Sequence, residues 1–132
     1  MELALESLKK RFQKDVTPLD VVAGIVYFFK KDEFSTDYGK LHKVFYKVRG
    51  NGFLKEFTFR KGGPYPYSEL LENVFSRMAI SGLLGCQNPD YRRFTITKEQ
   101  RKRIREGLLK KFSRSQKKEL KSLSLKIQKK LL

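Results

Sequence analysis

Apolar residues recur at three- and four-residue spacing along most of the chain, and that rhythm divides it into helices. From roughly Glu2 to Lys14, Leu5, Leu8 and Phe12 share one side while Lys9, Lys10 and Arg11 lie elsewhere, which predicts an amphipathic helix. Thr17-Pro18 then reads as an N-cap followed by proline at the first helical position. The helix it starts carries Val21, Val22, Ile25, Val26, Phe28 and Phe29. It is apolar nearly all round and is expected at the centre of the core. Ser35-Thr36-Asp37 offers another start, with Leu41, Val44, Phe45 and Val48 as the buried stripe up to Gly50.

Beyond the Gly50-Asn51-Gly52 turn the period changes. Phe53, Phe57 and Phe59 fall on alternating positions with Lys55 and Thr58 among them, predicting a strand that Gly62-Gly63-Pro64 stops. A helix from about Tyr67-Ser68 to Gly82 presents Leu71, Val74, Phe75 and Met78 inward. Leu83 to Gln87 and Arg93 to Ile96 read as short strands around an Asn88-Pro89-Asp90 turn, with Phe94 and Ile96 on one face and Arg93 and Thr95 on the other. Thr97-Lys98-Glu99-Gln100 is a capping box opening a basic helix, with Ile104, Leu108 and Phe112 on one face. An interruption is expected at Ser113 to Ser115, before Leu120, Leu123, Ile127 and Leu131 resume the stripe.

A chain of 132 residues, 39% hydrophobic and carrying 11 Phe and 6 Tyr, suffices for one domain with its own core. The most apolar run, Val21 to Phe29, is about half of the ~20 residues a membrane span requires, so no membrane association is expected. Met1-Glu2-Leu3-Ala4-Leu5-Glu6 is acidic and amphipathic, unlike a signal peptide, and the single Cys86 cannot form an internal disulfide; the expected location is the cytoplasm. The formal net charge is +16, an excess that attracts polyanions, solubility alone being the plainer alternative. It is unevenly placed: Lys98 to Leu132 hold 14 Lys/Arg against 3 Asp/Glu, a net of +11, and the first 97 residues carry only +5.

Helix, short strand, turn, strand and capped helix follow one another as at the end of a winged-helix module. The expected fold class is therefore mostly α with a small antiparallel β element. It is a winged-helix-like core over residues 1–112, N-terminal helix included, with 113–132 as a basic amphipathic extension of the same domain. In such folds a helix packs under a two-stranded wing, and both can touch DNA. Candidate contacts are Tyr91, Arg92 and Arg93 at the wing tip and Lys98, Arg101, Lys102 and Arg105 on the helix after it. Two arginines in a hairpin loop suit phosphate contact and plain solvation of a turn equally. The helix in the recognition position is a poorer candidate, because Glu69 and Glu72 stand beside Asn73, Ser76 and Arg77, and because a strand and a glycine turn precede it. Nucleic acid is the expected partner, DNA ahead of RNA, and the terminal amphipathic helices are a route to a homodimer.

The stretch Phe57-Thr58-Phe59-Arg60-Lys61-Gly62-Gly63-Pro64-Tyr65-Pro66-Tyr67-Ser68-Glu69-Leu70-Leu71, with Gly82-Leu83-Leu84 after it, resembles a motif of phage-associated, Panacea-type antitoxin-like proteins. That motif is an aromatic strand, a Gly-Pro-Tyr-Ser-like turn, a helix and a Gly-Leu-Ile-like exit, relative to which Tyr65-Pro66-Tyr67 is an insertion. The resemblance implies a compact, mostly helical domain that binds a partner protein or nucleic acid and has no known chemistry. A protein-docking module using residues 63–84 is thus the competing expectation.

Nothing in the chain calls for catalysis, a cofactor or a metal. His42 is the only histidine and stands between Lys40 and Lys43, a setting for a satisfied or solvent-facing ring; one His and one Cys do not make a zinc site. Gly62-Gly63 lacks the flanking Gly and Lys-Ser/Thr of a phosphate loop. Asp32-Glu33 and Asp37 read as a charged helix boundary. Tyr65 and Tyr67 beside Arg60 and Lys61 suit base stacking, but packing of a helix start is the commoner use of such tyrosines.

Overall fold

The structure is a computed structural model that describes residues 16–35, 37–50, 52–86 and 93–131. The amphipathic helix expected before Val16 lies outside the described residues.

Thr17 caps the first described helix, α1 (Pro18–Tyr27), and Asp20 completes a capping box: Thr17 Oγ1 accepts from the Asp20 amide at 3.2 Å and Asp20 Oδ2 from the Thr17 amide at 2.9 Å. Asp20 is buried, and its Oδ2 also takes the Lys111 ammonium at 3.0 Å. Val22, Ala23, Ile25 and Val26 are fully buried, as an all-round apolar helix must be. A short strand β1 (Glu33–Ser35) leads to α2 (Tyr38–Val48), capped by Asp37.

Ser68 caps α3 (Glu69–Ile80), which buries Leu71, Val74, Phe75 and Met78. Its exit is a Schellman turn. Gly82 adopts φ +81°, the Leu83 amide donates to the Met78 carbonyl at 2.9 Å, and the Gly82 amide donates to Ala79 at 3.3 Å. Strands β2 (Gly85–Cys86) and β3 (Arg93–Thr95) follow, and the antiparallel sheet has the order β1-β3-β2. Phe34 pairs with Phe94, and Cys86 with Phe94 on the other side. The Phe94 ring stacks on Phe75 at 5.5 Å and leans on Phe34 at 5.3 Å, which fixes the sheet on α3.

Thr97 and Gln100 form the expected capping box of α4 (Lys98–Arg103), which runs on through a π-helical turn, Ile104–Leu108, and a 3-10 turn, Leu109–Lys111. The chain breaks at Phe112 and Ser113, and α5 (Arg114–Leu131) packs back across α1 and α2. Leu120, Ser124 and Ile127 are its buried positions. Gly24 of α1 makes the approach possible, since a Cβ there would lie 2.8 Å from Leu120 Cδ1. The result is mostly helical with one small antiparallel sheet. Among the described residues no helix is long and apolar enough to cross a membrane.

Two expectations need correction. Residues 53–59 form no strand: Phe53–Glu56 is a 3-10 turn that buries Leu54, and the chain then runs extended to a single bridge between Arg60 and Tyr67. The three phenylalanines do not share a face. Phe53 meets Phe112 edge-on at 5.5 Å, Phe57 is buried, and Phe59 packs on Tyr46. The helix start expected at Ser35-Thr36-Asp37 is found there, with Asp37 as the cap, and only the short strand β1 just before it was not foreseen. The row Ile104, Leu108, Phe112 becomes Ile104, Leu109, Phe112, because the π turn inserts one residue and the Leu109 amide reaches the Ile104 carbonyl.

Candidate nucleic-acid interface

Of the seven residues proposed as contacts, Tyr91 and Arg92 lie outside the described residues, and for Arg93 only the backbone is described, paired in β3 with Ser35. Cys86 likewise contributes only its backbone to the description.

On α4, Lys98, Lys102 and Arg105 stand at i, i+4 and i+7, and all three are exposed. Lys98 follows directly on the Thr97 cap, so the row starts where β3 delivers the chain. Arg103 and Arg105 are exposed on the same stretch, with Glu99 and Glu106 the carboxylates among them.

Arg101 has a different occupation. One guanidinium nitrogen donates to the Tyr27 carbonyl at 2.6 Å and the Phe29 carbonyl at 2.9 Å. The other donates to the Lys31 carbonyl at 3.0 Å and to Asp32 Oδ1 at 3.2 Å. The last carbonyls of a helix have no partner within it, and Arg101 supplies one to the end of α1. It is a clamp between α4 and the α1–β1 turn, and it leaves the contact set.

The apolar stripe of α5 is covered by α1 and α2, so the face expected to pair copies of the chain is already used within it. Its outward side carries Arg114, Lys118, Lys121 and Lys129, with Leu125 44% exposed among them. On α3, Glu69, Asn73, Ser76 and Arg77 are exposed, whereas Glu72 is half-buried and accepts a hydrogen bond from the Tyr67 hydroxyl. One of the two carboxylates counted against phosphate contact is thereby engaged.

His42 is fully buried, and because Ser68 offers a carbonyl at 2.9 Å, its Nε2 carries the donated proton. Tyr67 stacks on the imidazole at 5.1 Å and Tyr65 lies against it at 5.5 Å, so both tyrosines serve packing at the start of α3. Hydrogen bonding to Glu72 holds the Tyr67 phenol protonated up to about 12, with burial next in effect. That pKa lies above the phenol's ordinary value of 10, so the contribution of this contact to stability is complete below pH 10 and fades as pH climbs toward 12. In an ultraviolet titration Tyr67 is expected to ionise last, and Glu72→Gln to move that late step back among the others. A Tyr67→Phe variant that keeps the late step would refute the assignment.

Two further features bear on charge. A groove of about 300 Å³ between the start of α1, the 3-10 turn at residue 53 and α5 is lined by Glu56 and Glu119 against one cation, Lys55, and so concentrates no positive charge. Residues 38–61, by contrast, hold seven Lys/Arg and one Glu, a net of +6. A whole-half charge count hides this block, because acidic residues on either side cancel it; a shorter window would have found it.

Among the described residues no group of three His, Cys, Asp or Glu side chains could hold a metal ion. No protein-family model matches the chain, and neither does any curated protein or solved structure.

Proposed function

We propose that the chain is a nucleic-acid-binding domain of winged-helix type, acting on duplex DNA in a regulatory or architectural role in the cytoplasm. The observation that carries this reading is the threading of the sheet: helix, strand, two helices and two strands, with β3 seated between β1 and β2. This order is the one expected of a winged helix, and it supports reading the segment that joins β2 to β3 as the wing. Lys98, Lys102 and Arg105 on the helix leaving β3, and Arg92 in that segment, are assigned to phosphate oxygens. Lysine and arginine heads there read backbone, not bases, so the binding is weakly selective for sequence. We assign the chain no catalytic step.

Fluorescence anisotropy with a labelled mixed-sequence duplex tests this. Binding is expected to weaken steeply with salt, and Lys98→Gln/Lys102→Gln/Arg105→Gln to flatten the log–log slope by about 3, roughly one per lost phosphate contact. Undetectable or salt-insensitive binding overturns the proposal. Preference for an RNA competitor over the duplex would redirect it to RNA.

One observation favours a protein-docking alternative. Ile80, at the end of α3 and within residues 63–84, is 84% exposed. A purified partner bound equally by the parent and by the triple α4 variant would select that reading.

A further inference from the structure

At the end of α2 two cations converge on one tyrosine. The Arg49 guanidinium carbon lies 4.2 Å from the Tyr46 ring centroid, and the Lys61 ammonium 5.2 Å from it. The two come from different elements, Arg49 from the C-cap of α2 and Lys61 from the loop before α3. That loop is held in place. The Arg60 amide donates to the Tyr67 carbonyl at 2.7 Å and Tyr67 returns the bond at 3.1 Å, and Phe59 packs edge-on against Tyr46 at 5.4 Å. Among the described residues no ion pair joins a carboxylate to Arg49 or Lys61. Lys40, Lys43 and Lys47 run along the adjoining flank of α2 and are exposed. The hydrogen bond and charge of Lys61, then the charge of Arg49, pull the Tyr46 phenol below its ordinary pKa, as expected where positive potential is concentrated.

Two like charges fixed on one ring repel each other, and nothing described in the fold neutralises them. An anion would. We propose that Tyr46, Arg49 and Lys61 form a second phosphate clasp, which takes a phosphodiester of the same nucleic acid at a point apart from α4. The guanidinium over the ring brings N–H donors for phosphate oxygens, while the ammonium adds a point charge and the phenol a hydroxyl donor. With Arg49 over its face and Phe59 at its side, Tyr46 is poorly placed to stack a base. The contact is therefore to backbone and indifferent to sequence.

This rests on the nucleic-acid reading, and the test separates the two. With the full chain and labelled duplexes of two unrelated sequences, Arg49→Gln/Lys61→Gln is expected to weaken binding about tenfold at low salt. It should also flatten the salt slope by about 2, equally on both sequences. Tyr46→Phe, which keeps the ring, should lose less. Lys126→Gln/Lys130→Gln removes the same charge from the Glu119 flank of α5 and controls for net charge. If the parent binds and the clasp variant matches it, or loses no more than the control, the clasp is refuted while the function stands. If the parent binds no duplex, the nucleic-acid reading falls and the clasp with it. Circular dichroism on each variant verifies that these exposed substitutions leave the fold intact.

Discussion

Leu120→Ala is expected to lower the free energy of unfolding by about 3 kcal/mol, read from urea denaturation midpoints at constant slope. Leu120 is fully buried where α5 crosses α1, and its Cδ1 fills the notch left by Gly24. Truncation removes both the transfer free energy of the side chain and its contacts, in a seam between two helices that cannot close without moving both. Leu125→Ala, on the exposed side of the same helix, should change stability by less than about 0.5 kcal/mol. The pair also predicts a coupling. Gly24→Ala alone forces a methyl against Leu120, but in the Leu120→Ala background that methyl occupies vacated space and adds helix propensity of about 1 kcal/mol. A double-mutant cycle with no coupling would mean the helices do not meet at this point. Equal losses at Leu120 and Leu125 would mean that α5 is not seated on the core.

Arg101→Ala is expected to cost about 3 kcal/mol as well, with no change in the salt slope of DNA binding. Four charge-assisted hydrogen bonds disappear, and the carbonyls of Tyr27 and Phe29 lose the donor that ends α1. Arg101→Lys should recover less than half, because an ammonium cannot span carbonyls on both sides as the planar fork does. A flattened salt slope with unchanged stability would return Arg101 to the interface and remove the clamp.

What could be read in the sequence was what is encoded locally. The cap-and-proline pair at Thr17-Pro18 and the capping box at Thr97 announce their helices within four residues, and the break at Ser113 is equally local. The pairing of β2 with β3 followed from a turn between two short apolar runs. The strand β1 was invisible because three residues with one phenylalanine carry no period, and its pairing with β3 is decided only when the sheet assembles. Phe53, Phe57 and Phe59 mimicked a strand because phenylalanine spacing reports burial but not direction; each ring finds a different neighbour. Arg101 resembled its basic neighbours because its partners are carbonyls some seventy residues away in sequence. The clasp at Tyr46 was hidden in the same way, its two cations being brought together by a loop.

The tying of α1 at both ends bears on the order of events during synthesis. Lys111 reaches Asp20 across 91 residues and Arg101 reaches Tyr27 across 74, so the central helix leaves the ribosome long before either partner exists. At roughly 5–20 residues per second, the wait for Lys111 lasts about 5–20 s. Throughout it a helix that is apolar apart from Asp20 has no finished core to enter. The central helix is therefore fastened only once residues 101–111 have been made.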